Sequence, residues 1–189
     1  MPHTAPVSSA RREELLESAY RYVLEHGLAA MSLRPLAAEI GSSPRVLLFL
    51  FGSKDGLVRA LLARARADEL AFLQRVRIEE EASLERVALE VWHWLVAPEH
   101  AGLLTLWTES YARSLIEPGG PWAGFAAATV QDWLELLARS QPRRQRATAA
   151  GAARRTLVLA VLRGALLDLL ATGDVERTTG AVQLALRSA

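Results

Sequence analysis

The segment from Leu28 to Arg59, LAAMSLRPLAAEIGSSPRVLLFLFGSKDGLVR, constrains the fold more than any other part of this 189-residue chain. Helix-starting and helix-stopping residues alternate along it so closely that only short helices, meeting at steep angles, fit between them. Before it, Arg12 to His26 sets Leu15, Leu16, Ala19, Tyr22 and Val23 on one helical face, with Glu13, Glu14, Glu17, Arg21 and Glu25 mostly off it. A first helix is therefore predicted from about Ser9 to His26, stopped by Gly27. Ser32 is the expected N-cap of a second, Leu33 to Ile40, in which Leu33, Leu36, Ala37 and Ile40 form an apolar stripe and Gly41 ends the run. Pro35 is tolerated because first-turn amides have no intrahelical acceptor. Ser43 caps a third helix with Pro44 in its first position, Phe51 and Gly52 close it, and Ser53 caps a fourth that begins Lys54-Asp55.

Two short helices joined only by Gly41-Ser42-Ser43 cannot lie antiparallel in full contact. They form a helix-turn-helix, whose second member enters a major groove of DNA by its N-terminal end. Unpaired first-turn amides, Ser42, Ser43 and Arg45 then meet phosphates and base edges, with Arg45 the best candidate for a base. Lys54 is the only lysine among 22 basic residues, and it stands where a compact point charge would grip a phosphate. Ser32, Arg34, Ser42, Ser43, Pro44, Arg45, Val46, Phe49 and Lys54 make up the expected DNA-contacting set.

These residues resemble the DNA-binding domain of the TetR family of transcriptional regulators. The matching positions are His26, Gly27, Ser32, Leu33, Leu36, Ala37, Gly41, Ser43, Leu47, Phe51, Ser53, Lys54, Asp55 and Leu57, over roughly residues 9 to 66. Two departures stand out. Leu48 occupies the place of the family's usual tyrosine, removing a hydroxyl that commonly donates to a phosphate. The third helix, PRVLLFLF, is also unusually apolar: with Leu47, Leu50 and Phe51 in the core, Val46, Leu48 and Phe49 are left partly exposed. Such a run meets thymine methyls, or marks weak affinity, or is covered in the free protein.

Composition agrees with a globular regulator. The chain is 51% hydrophobic, with a formal net charge of +1. Residues 1 to 66 carry nine Lys/Arg against six Asp/Glu, and the rest carry thirteen against fifteen, an asymmetry of the sign that phosphate binding requires. The absence of cysteine excludes a disulfide framework and thiolate chemistry. Residues 1 to 8 lack the apolar core of a signal peptide, and read as a mobile tail; the resemblance implies that such a tail adds a DNA contact. Arg11 and Arg12 read equally as phosphate contacts or as solvated residues of the first helix. The longest apolar run, Leu157 to Leu170, is broken by Arg163 and Asp168 and is too short to span a bilayer. A cytoplasmic protein without membrane contact is expected.

Helical periodicity without strand-like alternation predicts an all-α fold of about nine helices. The expected organisation is residues 1–53 as tail and DNA-binding domain, and residues 54–189 as a helical ligand-binding and dimerisation domain. After a fourth helix from Lys54 to Ile78 and an acidic Glu79 to Glu81, the predicted helices are Leu84 to Val96, Glu99 to Ile116, Pro121 to Ser140, Arg143 to Ala171 and Val175 to Arg187. Along Leu157 to Leu170 the eighth is apolar almost all round, which calls for burial against its own core and against a second copy. The resemblance implies a homodimer through the last two helices, giving the paired reading heads that a palindromic double-stranded operator needs.

All five tryptophans, Trp92, Trp94, Trp107, Trp122 and Trp133, fall within 42 residues, with Tyr111 and Phe125 among them. Each ring by itself reads as core. Together they suggest a pocket for an apolar or aromatic effector, lined by Trp92, Trp107, Thr108, Tyr111, Phe125 and Trp133. His93, Glu109, Ser110 and Thr129 are polar neighbours, with His93 read first as a buried structural histidine. The histidine spacing offers no metal site, and no cofactor is expected. Phosphate-loop, nucleophile-elbow and zinc-enzyme motifs are missing, so the chain does not read as an enzyme. The sequence thus predicts a one-component regulator, a repressor in the first instance, with the fourth helix as the lever between pocket and reading head. A helical interaction module, or a carrier or enzyme that keeps the fold without binding DNA, is the alternative.

Overall fold

Gly41 and Gly52 turn the corners of the N-terminal helices, each in the left-handed region that a side chain rarely adopts, with φ of +63° and +78°. The computed structural model describes residues 5–29, 31–75 and 83–188. Every regular element among them is helical: α1 (Ala5–His26), α2 (Leu33–Glu39), α3 (Pro44–Phe51), α4 (Lys54–Arg75), α5 (Leu84–Leu95), α6 (Ala101–Ile116), α7 (Phe125–Arg139), α8 (Arg143–Arg146), α9 (Ala149–Thr172) and α10 (Val175–Ser188). Single turns of 3-10 helix at Pro98–His100 and Gly120–Trp122 precede α6 and α7.

Three differences from the sequence expectation exceed two residues, each for a local reason. Helix α1 begins at Ala5 instead of Ser9, since Pro6 is compatible with a first turn. The seventh helix starts at Phe125 and not at Pro121, because Gly124 adopts a φ of +75° and interrupts the run. The expected eighth helix is two. Thr148 caps a new start by accepting the Gly151 N–H at 3.0 Å, and the short α8 stands before it. The predicted end of the fourth helix at Ile78, the acidic Glu79 to Glu81 and the first four residues of the tail lie outside the described residues.

The chain divides into two compact units: Met1–Asp68 with Thr105–Ala126, and Glu69–Leu104 with Ala127–Ala189. Beyond residues 1–53, the first unit takes in the start of α4 and most of α6. Its core gathers Leu15, Ala19 and Val23 from α1, Leu36 and Ala37 from α2, Leu47 from α3 and Leu57 and Leu61 from α4, all nearly inaccessible to water. Tyr20 and Arg64 brace α1 against α4. The Tyr20 hydroxyl donates to Asp68 at 2.9 Å, the Arg64 guanidinium lies 4.9 Å from the Tyr20 ring, and Arg64 pairs with both Glu17, at 2.5 Å, and Asp68. Burial, and then the hydrogen bond to Asp68, raise the Tyr20 phenol above its ordinary pKa.

In the second unit α5, α9 and α10 pack on one another. Buried on these helices are Val87, Ala88, Val91 and Trp92 of α5, Val158, Leu162 and Leu166 of α9, and Val182 and Leu186 of α10. Gly173, at φ +69°, turns the chain from α9 into α10, and Arg177 grips Asp168 with two hydrogen bonds of 2.7 Å across that corner. No helix among the described residues is long and apolar enough to cross a membrane.

Candidate nucleic-acid interface

The third helix is only eight residues long, and its two faces differ sharply. Leu47 and Phe51 are buried at 1% and 8% exposure, whereas Val46, Leu48 and Phe49 stand at 39%, 40% and 81%. Arg45 is exposed on the outward side, as are Arg34 in α2 and Lys54 at the start of α4. The Ser43 hydroxyl accepts the Val46 N–H at 3.2 Å, with Pro44 following it, so the entry to the helix is rigidly set. Ser53 does the same for α4, accepting the Gly56 N–H at 3.0 Å.

Two of the serines behave differently from their sequence reading. Ser32 occupies the cap position of α2 in extended backbone, yet its side chain makes no cap hydrogen bond and stays exposed. Ser42 was expected to offer its hydroxyl to a groove. Instead the oxygen is buried and without a hydrogen-bond partner, while the Ser42 N–H donates to the Ala37 carbonyl at 2.8 Å. The turn needs that amide for its own closure, and the side chain follows the backbone inward.

Several supports of this surface come from far along the chain. Arg12 is exposed but has partners within the chain: its Nε donates to the Leu50 carbonyl at 3.3 Å, and its guanidinium sits 4.9 Å from the Phe51 ring, so it supports the C-terminal end of α3. Arg11 pairs with Glu14 at 2.7 Å. Glu109 of α6 accepts the Leu28 backbone N–H at 3.0 Å with one carboxylate oxygen and holds Arg113 at 3.3 Å with the other, tying the turn after α1 to α6. A cleft of about 480 Å³ beside Lys54 is walled by Arg113, Glu117 and the Gly119–Trp122 stretch, with the Arg113 guanidinium 5.2 Å from the Trp122 ring. No local pattern signals the bonds from Arg12 to Leu50 and from Leu28 to Glu109, because their partners are 38 and 81 residues apart.

A helix-turn-helix with an exposed, basic and rigidly capped second helix can be compared with known proteins. The family "Bacterial regulatory proteins, tetR family" matches residues 15–61, a span covering the helix-turn-helix and its approaches. Residues 15–61 are thus similar to the DNA-binding region of TetR-family regulators. Solved structures extend the likeness in fold to most of the chain. The multidrug binding protein EbrR, complexed with proflavin, is 25% identical at a TM-score of 0.69 over 95% of this chain and 99% of its own. A TetR transcription regulator from Haloarcula marismortui is 22% identical at 0.66, over 96% and 97%. SmeT, the repressor of the Stenotrophomonas maltophilia multidrug efflux pump SmeDEF, is 19% identical at 0.65, over 94% and 89%. No curated protein matches the chain. The fold is thus that of these solved proteins.

The six aromatic-pocket candidates are not gathered within either unit. Trp107, Thr108, Tyr111 and Phe125 belong to the first, where the Trp107 and Tyr111 rings stack at 5.2 Å and the buried Thr108 hydroxyl has no hydrogen-bond partner. Trp92 and Trp133 belong to the second. Trp92 is wholly buried, its indole N–H donating to Thr179 at 2.9 Å, which makes it a core plug between α5 and α10. Trp133 donates to the buried carboxylate of Glu69 and lies 6.3 Å from Phe72, which stacks on Trp94 at 4.1 Å. Glu69, Phe72 and Trp94 were not among the candidates. His93, read as buried, is exposed on a surface cleft of α5, and it is His100 that takes the structural role, stacked on Trp94 with its Nδ1 donating to the Trp94 carbonyl at 2.8 Å. Among the described residues no group of His, Asp or Glu could hold a metal ion.

Proposed function

We propose that this chain is a ligand-responsive transcriptional repressor whose homodimer binds a palindromic operator. The exposed face of α3 is the observation that carries the reading: Arg45, Val46 and Phe49 are open to solvent on a helix whose opposite face is core. Arg45 is assigned to a guanine edge, and Arg34, Lys54 and the free hydroxyl of Ser32 to phosphates. Ser43 and Pro44 set the direction in which the helix enters the groove. Residues 1–53 form the reading domain in this account, and residues 54–189 the ligand-binding and dimerisation domain.

The dimer is supported by Leu157 and Leu167 of α9 and Leu184 of α10, exposed at 50%, 54% and 62%, a run of apolar side chains that a single protomer leaves in water. The effector is a small apolar or aromatic molecule. Trp107, Tyr111 and Phe125 offer rings, and the unpartnered Thr108 hydroxyl offers a hydrogen bond that no protein group supplies. That EbrR is complexed with proflavin, and that SmeT is a repressor of an efflux pump, fits this choice. The effector acts by population shift, binding the form with mis-spaced reading heads more tightly and lowering operator affinity by that differential.

Selection of duplexes from a random library with the purified full-length protein tests the reading. Enrichment of a two-fold symmetric sequence, released on addition of an aromatic probe such as proflavin, is expected. Failure to enrich any sequence overturns the DNA-binding role and favours an interaction module presented by α3.

A further inference from the structure

Phe49 is exposed at 81%, whereas the chain's other three phenylalanines, Phe51, Phe72 and Phe125, are all buried at 8% or less. The core of α3 is already filled by Leu47 and Phe51, so nothing in the protomer calls for an aromatic ring at this position. Val46 precedes it by three residues and Arg45 by four, which sets all three on one helical face. We propose that Phe49 and Val46 read thymine C5-methyl groups in the major groove, so that this protein selects its operator by apolar contacts as well as by the charged fork of Arg45. The inference rests on the DNA-binding role proposed above and gives it a substrate chemistry.

Base edges in the major groove are lined with hydrogen-bond donors and acceptors, and the thymine methyl is the apolar group among them. An apolar reading face therefore has one partner on duplex DNA. Charge favours DNA over protein as the occupant: α3 carries no acidic residue, and Arg34, Arg45 and Lys54 are all exposed on α2, α3 and the start of α4. Size agrees. A whole phenylalanine presents at most about 250 Å², so Phe49 with half-exposed Val46 and Leu48 falls well short of the roughly 800 Å² per partner of a stable protein interface. The rise of about 1.5 Å per residue separates Arg45 from Phe49 by roughly 6 Å along the helix, about two base steps at 3.4 Å each. A half-site with a guanine and a thymine within about two steps of each other follows.

The experiment uses the full-length protein and the duplex it enriches from a random library. Each thymine of one half-site is replaced in turn by deoxyuridine, which removes the methyl group and nothing else, and binding is measured by titration. At one or two positions the replacement should weaken binding about fourfold, the factor to which about 0.8 kcal/mol of lost apolar burial converts. Phe49→Ala should bind the unmodified duplex more weakly and lose its sensitivity to deoxyuridine at one of those positions; Val46→Ala should do so at the other. Both side chains lie outside the core, so unchanged melting curves are expected for both variants. An enriched duplex that is indifferent to deoxyuridine at every position overturns methyl reading and leaves the DNA-binding role standing. Sensitivity that persists unchanged in both variants overturns the assignment to these side chains. If no duplex is enriched at all, both readings fall together.

Discussion

Leu47 and Phe49 stand two residues apart on one short helix and meet opposite fates, one sealed in the core and the other almost wholly in water. In the proposed function α3 is the element that reads DNA, and single substitutions around it should separate sequence-specific from general binding. Arg45→Ala should cost about 1–3 kcal/mol on the enriched operator and little on random duplex. Lys54→Gln should weaken every duplex alike and lower the slope of log affinity against log salt by about one. Gel-shift titrations at several salt concentrations check both. Tyr20 offers a test by pH. Its phenol pKa is raised in the folded chain, first by burial and then by Asp68, so its contribution to stability is complete below the unfolded value of about 10 and fades as pH climbs beyond it. Tyr20→Phe should lose about 1 kcal/mol near neutrality and show a shallower alkaline decline in denaturant midpoints. An equally steep decline would remove Tyr20 from the explanation.

At the scale of elements, two kinds of contact hold the reading head, and they differ in how far they reach along the chain. The caps of α3 and α4 are local, each closed by a serine three residues before the amide it accepts. The tie from Glu109 to the Leu28 N–H spans 81 residues, and it joins the turn after α1 to the face of α6. Glu109→Ala should leave that amide unsatisfied beneath a buried leucine, at a cost of about 1–3 kcal/mol. Glu109→Gln keeps an acceptor and should recover most of it. Chemical denaturation of the two variants distinguishes a hydrogen-bonding role from one that depends on the charge pair with Arg113; equal losses in both would favour the charge pair.

At the scale of the whole molecule, the second unit leaves Leu157, Leu167 and Leu170 of α9 and Leu184 of α10 exposed, the apolar side chains to which the proposed dimer is assigned. In the proposed dimer Leu167 is buried, so Leu167→Arg should yield monomers in sedimentation velocity runs with helix content unchanged. Operator affinity should fall with it, because each protomer then reads half a palindrome. A variant that still sediments as wild type would take Leu167 out of the interface. The Arg177–Asp168 pair holds the Asp168 carboxyl below its ordinary value, so whatever it adds to the α9–α10 corner is present above the usual carboxylate range and lost in acid.

Much of the helix-turn-helix was legible in the sequence because its signals are local: Ser43, Pro44, Gly41 and Gly52 act through the backbone within a few residues, and their spacing alone determines it. The all-helical class follows in the same way from periodicity. What the chain does with Arg12, Glu69 and Glu109 depended on partners 38, 64 and 81 residues away, and no spacing rule reaches that far. The inward hydroxyl of Ser42, the core burial of Trp92 and the exposure of His93 likewise belonged to the tertiary structure. Composition says which side chains are apolar, but only packing decides which of them meet one another and which are left facing water.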